Sequence, residues 1–360
     1  MKQLLLGSTA LVAAGTAMGA MAQPALASDP IKLSVNGYYS NVVTYSDQDG
    51  STTDFKKVAF RHEGEVQFNG ETKLDNGLTV GFLANLEIVN TGSTNGPTDE
   101  VFMYFEGGFG KVQLGSKETA AYLMHYQAPY VGIGVNTPDI APYENNGAPT
   151  STYLVQTNDA NKITYFTPQF SGFQLGFSYV PDTTNTDGNT QGFGVLPKGG
   201  IGEQEDWVSL AAAYTREVGG VELGLSAGYE FASLGGNDGA GTFDDFKGYS
   251  FGANVGFSGF TVGGSYAKFN NGLSGDNDSK AWDLGVIYET GPWGFGLTYF
   301  NGDNEGSNAE AKLFDIAASY TVNDGIKFAG GFILGDFDPA PASGADDKAV
   351  AVYFGTFLTF

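Results

Sequence analysis

Alternation constrains this chain more than any other feature. Near the end of the sequence, Val350, Val352, Phe354, Leu358 and Phe360 recur at every second position, with Thr356 the weak member. Ala351, Tyr353, Gly355, Phe357 and Thr359 lie between them. Side chains two apart share one face of a strand. The same period runs through Leu78, Val80, Phe82, Ala84, Leu86 and Ile88, and again through Val221, Leu223, Leu225, Ala227, Tyr229 and Phe231. It returns in Trp282, Leu284, Val286 and Tyr288, and in Trp293, Phe295, Leu297 and Tyr299. A soluble sandwich also alternates. Here, however, the intervening set is Gly, Ser, Asn and charge, which cannot pack a dry core but can line water.

The connections also alternate, in length. Short turns fall at 75–77, 107–110, 170–172, 217–220, 258–259, 290–292 and 323–325. Longer polar, acidic stretches lie between them, at 46–54, 181–203, 234–244, 271–278, 301–309 and 336–347 among others. Seven short turns and eight long loops make fifteen connections, hence sixteen strands. The expected fold is all-β: a sixteen-stranded antiparallel transmembrane β-barrel whose last strand pairs with its first. Aromatics sit near both strand ends, as two interfacial belts require: Phe68, Phe109, Phe257, Phe260 and Trp293 near short turns, and Tyr45, Phe55, Tyr179, Tyr249 and Trp282 near long loops.

The N-terminus reads as an export signal. Lys2 precedes an apolar stretch from Leu4 to Met18, and small-x-small sites end at Ala22 and Ala27. Residues 1–27 are expected to be removed, with cleavage after Ala27 or Ala22, leaving 28–360 as one barrel domain. No later apolar run is long enough for a spanning helix, so a membrane location requires a barrel. There are no cysteines and only two histidines, His62 and His125, which leaves little from which to build a thiol, zinc or serine-hydrolase site. No enzyme is expected. Forty acids against 17 bases give a net charge of −23, which disfavours nucleic acid and favours cations in any pore.

One connection is unlike the rest. Residues 118–161 contain Pro129, Pro138, Pro142 and Pro149 together with Tyr122, Leu123, Met124, Tyr126, Tyr130, Val131, Ile133 and Val135. A long loop without regular structure is commonly functional. Its apolar content favours packing against something, and the space on offer is the barrel interior.

The residues flanking that loop resemble the general porins of Gram-negative outer membranes, most of all those of alphaproteobacterial type. The segment from Val101 to Gly115 (VFMYFEGGFGKVQLG) is similar to the family's strand, Gly-Phe-Gly turn and strand before the third loop. The segment from Asn161 to Phe173 (NKITYFTPQFSGF) is similar to the strand leaving it. The terminal Phe360 is the third point of likeness. The resemblance implies a homotrimeric, water-filled channel for passive diffusion of ions and small hydrophilic solutes, with the third loop as its constriction. It also implies Phe360 as the signal read by the barrel assembly machinery, and outer-membrane lipid and lipopolysaccharide as surroundings.

Family porins oppose acids on this loop to bases on the wall, and the resulting transverse field filters solutes. Here the loop acids are Asp139 and Glu144, with Glu118 and Asp159 near the ends. Strand parity turns Lys57, Arg61, Glu63, Glu65 and Gln67 toward the lumen, and likewise Lys32, Lys111 and Lys117; Lys162 opens the next strand. Lys57, Arg61, Lys117 and Lys162 are therefore the expected constriction bases, with Arg61 matching the family's second-strand arginine. The chain departs from the family in having lysines where arginines are usual. Lysine lacks the planar fork, so a weaker fixed field and a cation preference are expected. No cofactor is expected, although Asp47, Asp49, Asp244, Asp245, Asp276, Asp278, Asp303, Glu305, Asp346 and Asp347 could hold Ca²⁺ weakly in the loops. The alternatives are a sugar-specific channel tracked by Tyr122, Tyr126, Tyr130 and Tyr143, and a plugged structural or adhesive surface barrel.

Overall fold

The computed structural model describes residues 29–48, 56–89, 98–137, 139–183, 198–236, 239–338 and 347–360. The export signal, Asp49, Asp346 and Pro138 lie outside them, as do parts of five long loops. Sixteen strands run in chain order. The first five are β1 (Lys32–Gln48), β2 (Val58–Lys73), β3 (Thr79–Glu87), β4 (Thr98–Gly107) and β5 (Gly110–Ser116). After a long connection come β6 (Asn161–Phe166), β7 (Phe173–Asp182), β8 (Gln204–Val218), β9 (Val221–Leu234) and β10 (Phe246–Phe257). The wall is completed by β11 (Phe260–Phe269), β12 (Ser279–Thr290), β13 (Trp293–Asn304), β14 (Ala309–Asn323), β15 (Ile326–Asp338) and β16 (Asp347–Thr359).

Every strand pairs antiparallel with its neighbours in sequence, and β16 pairs with β1, so the sheet closes. The closing seam matches Tyr38 to Thr359 and Tyr45 to Val352. Phe360 extends it, with its carbonyl accepting from the Gly37 amide (2.9 Å) and its own amide donating to the Gly37 carbonyl (3.1 Å). Among the described residues, no helix is long and apolar enough to cross a membrane.

The alternation sorts the side chains into two faces. On β13, Phe295 and Leu297 are exposed on the outside, while Gly296, Thr298 and Phe300 are buried on the inside. Outward residues such as Phe332 and Phe354 remain 55% and 59% exposed, an apolar surface of the kind a lipid-facing barrel wall presents. The seven short turns fall where the sequence places them, each in the gap between consecutive strands from β2–β3 to β14–β15.

Several expected loops are shorter than read, because β1, β7, β13 and β15 run on to Gln48, Asp182, Asn304 and Asp338. Asn301 to Asn304 continue β13 and pair with Ala309 to Lys312, leaving residues 305–308 as the connection. Beyond the bilayer both strand faces meet water, so the ladder continues without hydrophobic alternation to mark it. The lipid-facing assignment predicts that Leu297→Arg costs about 2–4 kcal/mol of barrel stability, whereas Asp303→Arg near the rim costs about 0–1 kcal/mol. Urea unfolding in lipid vesicles measures both.

Candidate functional site

Residues 117–160 connect β5 to β6 and lie against the inward face of the wall from β7 to β16. A single helical turn (α1, Ala120–Leu123) opens the segment, capped by Thr119, whose hydroxyl accepts from the Tyr122 amide at 3.4 Å. Backbone amides then dock on wall hydroxyls: Ala120 on Ser178 (2.8 Å), Ala121 on Ser209 (3.0 Å) and Tyr126 on Ser226 (2.9 Å). Further round, Asp283 of β12 accepts from the Ala128 amide (3.1 Å), Asn136 Nδ2 (2.9 Å) and the Ser265 hydroxyl (2.6 Å). Thr298 donates to the Pro129 carbonyl at 3.0 Å. These contacts satisfy the polar groups of a loop without a ladder of its own.

The apolar residues of the loop fill the same side. Val131, Ile133, Val135, Ile140 and Ala148 form a buried cluster with inward Phe300, Leu313, Ile333, Phe337 and Tyr353. The wall beneath the loop is cut down to glycine. A Cβ on Gly252 would lie 1.7 Å from the Tyr126 carbonyl oxygen, one on Gly285 2.4 Å from that of Pro129, and one on Gly302 2.1 Å from that of Pro149. The inward glycines thus hold open the groove the loop occupies. His125 is buried inside this packing, with Nε2 3.0 Å from the Thr152 hydroxyl and its ring edge-on to Tyr153. Burial lowers its pKa to about 4, so the imidazole is neutral and structural.

Opposite the loop, the inward face of β2 carries Arg61, Glu63, Glu65 and Gln67 in succession. The Tyr38 hydroxyl lies 3.1 Å from Glu63 Oε1 and 2.9 Å from Glu65 Oε1, and Asn85 donates to Glu65 Oε2 at 2.6 Å. Asp139, exposed on the loop, faces this group. Loss of solvation and then the charge of Glu65 push its carboxyl above the ordinary range. The loop acid therefore lies within electrostatic reach of acids on β2. Sequence parity pointed Glu63 and Glu65 inward but assigned them no role, because the family pattern directed attention to bases.

The four expected bases do not gather at one place. Arg61 is exposed on the inner face, level with Val42, and forms no ion pair among the described residues. Lys57 lies just before β2, half exposed, and pairs with Asp47 at 2.9 Å. Lys117 pairs with Glu100 and, at 2.9 Å, with Glu118. Lys162 is buried, its ammonium donating to the carbonyls of Lys117 and of Asn158 (2.6 Å for the latter). Glu144 sits apart from Asp139's neighbours, its backbone exchanging hydrogen bonds with Gln48 at the outer end of β1 (2.8 and 3.2 Å).

Of the four tyrosines of the sugar-track alternative, Tyr122 and Tyr130 both adjoin Tyr153, whereas Tyr126 and Tyr143 have other partners. Tyr122 stacks on Tyr153 at 4.3 Å, Tyr143 packs on Phe337, the Tyr126 hydroxyl meets Thr215, and Tyr130 meets Thr137. Several loop acids are paired: Asp278 with Lys268 and Glu305 with Lys280.

A closed sixteen-stranded barrel with a lipid-facing exterior, a polar interior and an inward loop defines a transmembrane β-barrel of the pore-forming kind. A family model described as Gram-negative porin matches residues 7–338, and the chain belongs to that family, whose place is the bacterial outer membrane. Among solved structures it is similar to an anion-selective porin from Comamonas acidovorans (TM-score 0.66, 19% identity, 92% of this chain and all of that one). It is also similar to a porin refined at 1.8 Å (TM-score 0.62, 19% identity, 91% of this chain and all of that one). At such identity these likenesses concern the fold. Uncharacterized proteins of Rickettsia bellii and Rickettsia typhi are 27% and 25% identical over 222 and 224 residues. Those matches cover 52% of this chain, which spans about half the length of these relatives.

Asp283 joins the wall to two points of the loop, so Asp283→Ala leaves the Ala128 amide unpaired, at about 1–3 kcal/mol, and Asn136 Nδ2 with the Ala128 carbonyl alone. The expected outcome is a barrel that still folds, with open-channel current noise well above wild type in planar bilayers.

Proposed function

We propose that this porin forms a water-filled channel through which ions and small hydrophilic solutes diffuse passively, with a preference for cations. The observation that carries the preference is that Asp139 of the loop lies within electrostatic reach of Glu65 and Glu63 on β2, acids that Tyr38 holds together. Lys117 and Lys162 are engaged by carboxylates and carbonyls at the loop ends, which takes them out of a transverse ladder. The net charge of −23 acts in the same direction by raising the local cation concentration. Tyr126 and Tyr143 are engaged by Thr215 and Phe337, which argues against one sugar track running through all four tyrosines. Two further copies of the chain as trimer partners, lipopolysaccharide and outer-membrane lipid around them, and the barrel assembly machinery acting on Phe360 complete the same reading.

The test is the reversal potential of purified protein in planar bilayers under a KCl gradient. Wild type is expected to favour K⁺ over Cl⁻; an anion preference overturns the reading. A carboxylate about 4 Å from a cation is worth about 1 kcal/mol at the dielectric of water. Glu63→Gln and Glu65→Gln should each lower the K⁺/Cl⁻ permeability ratio about fivefold, and Arg61→Gln should raise it.

The same recording gives a pH dependence. Asp139 loses its negative charge as pH falls through its pKa, and that pKa is raised. The cation preference should therefore begin to weaken above pH ~4, the ordinary aspartate value. Asp139→Asn should remove that limb of the titration.

A further inference from the structure

Both ends of the inward loop meet at one buried, charged cluster. Glu100 comes from β4, Glu118 from the start of the loop and Asp159 from its end. Each places a carboxylate oxygen within 4.8 Å of the other two. Glu230 of β9 adjoins them, accepting from the Thr119 hydroxyl. Glu100 and Asp159 are each 7% exposed, and Glu230 is 1% exposed. Two ammonium groups answer these four carboxylates. Lys117 touches Glu100 and Glu118, while Lys162 directs its ammonium to the carbonyls of Lys117 and Asn158. Asp159 Oδ1 and Glu230 Oε2 are buried with no hydrogen-bond partner.

With all four carboxylates ionised, two ammonium groups leave two negative charges in the cluster without compensation. Uncompensated charge away from water is strongly unfavourable, so something positive belongs in the cluster. We infer that Glu100, Glu118 and Asp159 form a binding site for one hard divalent cation, Ca²⁺ or Mg²⁺.

A divalent ion brings the count of four carboxylates and two ammonium groups to neutrality. The three ligands offer oxygen alone, the donor that Ca²⁺ and Mg²⁺ take. They include no thiolate or imidazole, the donors that suit zinc. Three protein ligands leave coordination positions for water, and the partly exposed side chains of Lys117 and Glu118 give a route in from the lumen. Because the ligands come from β4 and from both ends of the loop, the ion ties the loop ends to each other and to the wall. It differs in place and burial from the exposed acids of the external loops.

Tb³⁺, an oxygen-seeking stand-in for Ca²⁺, tests this directly. Tyr122 feels the charge of both Glu118 and Asp159 and is close enough to sensitise its emission. Folded, detergent-solubilised full-length protein is stripped with chelator and titrated with Tb³⁺ while tyrosine is excited. The expected result is emission saturating at one ion per chain, displaced by Ca²⁺. Apparent affinity should fall at least tenfold in Asp159→Asn and in Glu118→Gln, and stay at the wild-type value in Asp303→Asn at the outer rim. Equilibrium dialysis with ⁴⁵Ca²⁺ should show the same loss of one site. If Asp159→Asn fails to fold, Glu118→Gln carries the comparison. Folded wild-type protein without sensitised emission, or variants that match it, would overturn the site and leave protons as the balancing charge.

Discussion

The structure depends on one constraint: in a bilayer, no water reaches the edge of a sheet. Every backbone N–H and C=O in the apolar layer must find a partner within the protein. A sheet meets that demand only when closed, and the β1–β16 ladder closes this one. The paired hydrogen bonds between Gly37 and Phe360 carry the seam to the last residue. Once closure is imposed, period-two alternation assigns every side chain to lipid or lumen. A strand register shifted by one residue would turn Leu297 and Phe332 into water and Thr298 and Ile333 into lipid.

Closure creates a second problem, an interior too wide to be selective. The chain answers it with one loop, anchored in a manner unlike its strands. Serine hydroxyls and Asp283 take the place of a backbone ladder, and inward glycines provide the groove. Val131, Ile133 and Val135 give this docking an apolar component against Phe300 and Ile333. The loop ends bear the concentrated charge of Glu100, Lys117, Glu118, Asp159 and Lys162, while its exposed acid, Asp139, lies within electrostatic reach of Glu63 and Glu65. Anchoring and filtering are thus carried by different residues of the same segment.

Much of the fold was legible in the sequence because membrane strands obey a two-residue rule with few exceptions. The alternating runs, the seven short turns and the strand count could all be read from it. The rim was less legible, as Asn301 to Asn304 show, because water on both faces removes the alternation that marks a strand. The candidate site was legible in part. The inward parity of Arg61, Glu63 and Glu65 followed from position, and Asp139 followed from the family resemblance of its loop. The fates of Lys117 and Lys162 did not, since parity gives a face and says nothing of neighbours brought from forty residues away. The wall glycines were visible only as composition. Their purpose appears once the carbonyls of Tyr126, Pro129 and Pro149 are seen against them.

The connection from β5 to β6 lies on the inner wall, and an introduced cross-link probes that placement. The chain has no cysteine, so a pair introduced by mutation has no native competitor. A Cβ on Gly296 would lie 3.1 Å from Val131 Cβ, near the 3.5–4.5 Å span of a disulfide. In the folded Val131→Cys/Gly296→Cys protein, mild oxidation should form an intramolecular disulfide nearly completely, whereas unfolded protein at equal concentration should not. Free thiols that persist in the folded, oxidised protein would contradict the account and place the loop off the wall.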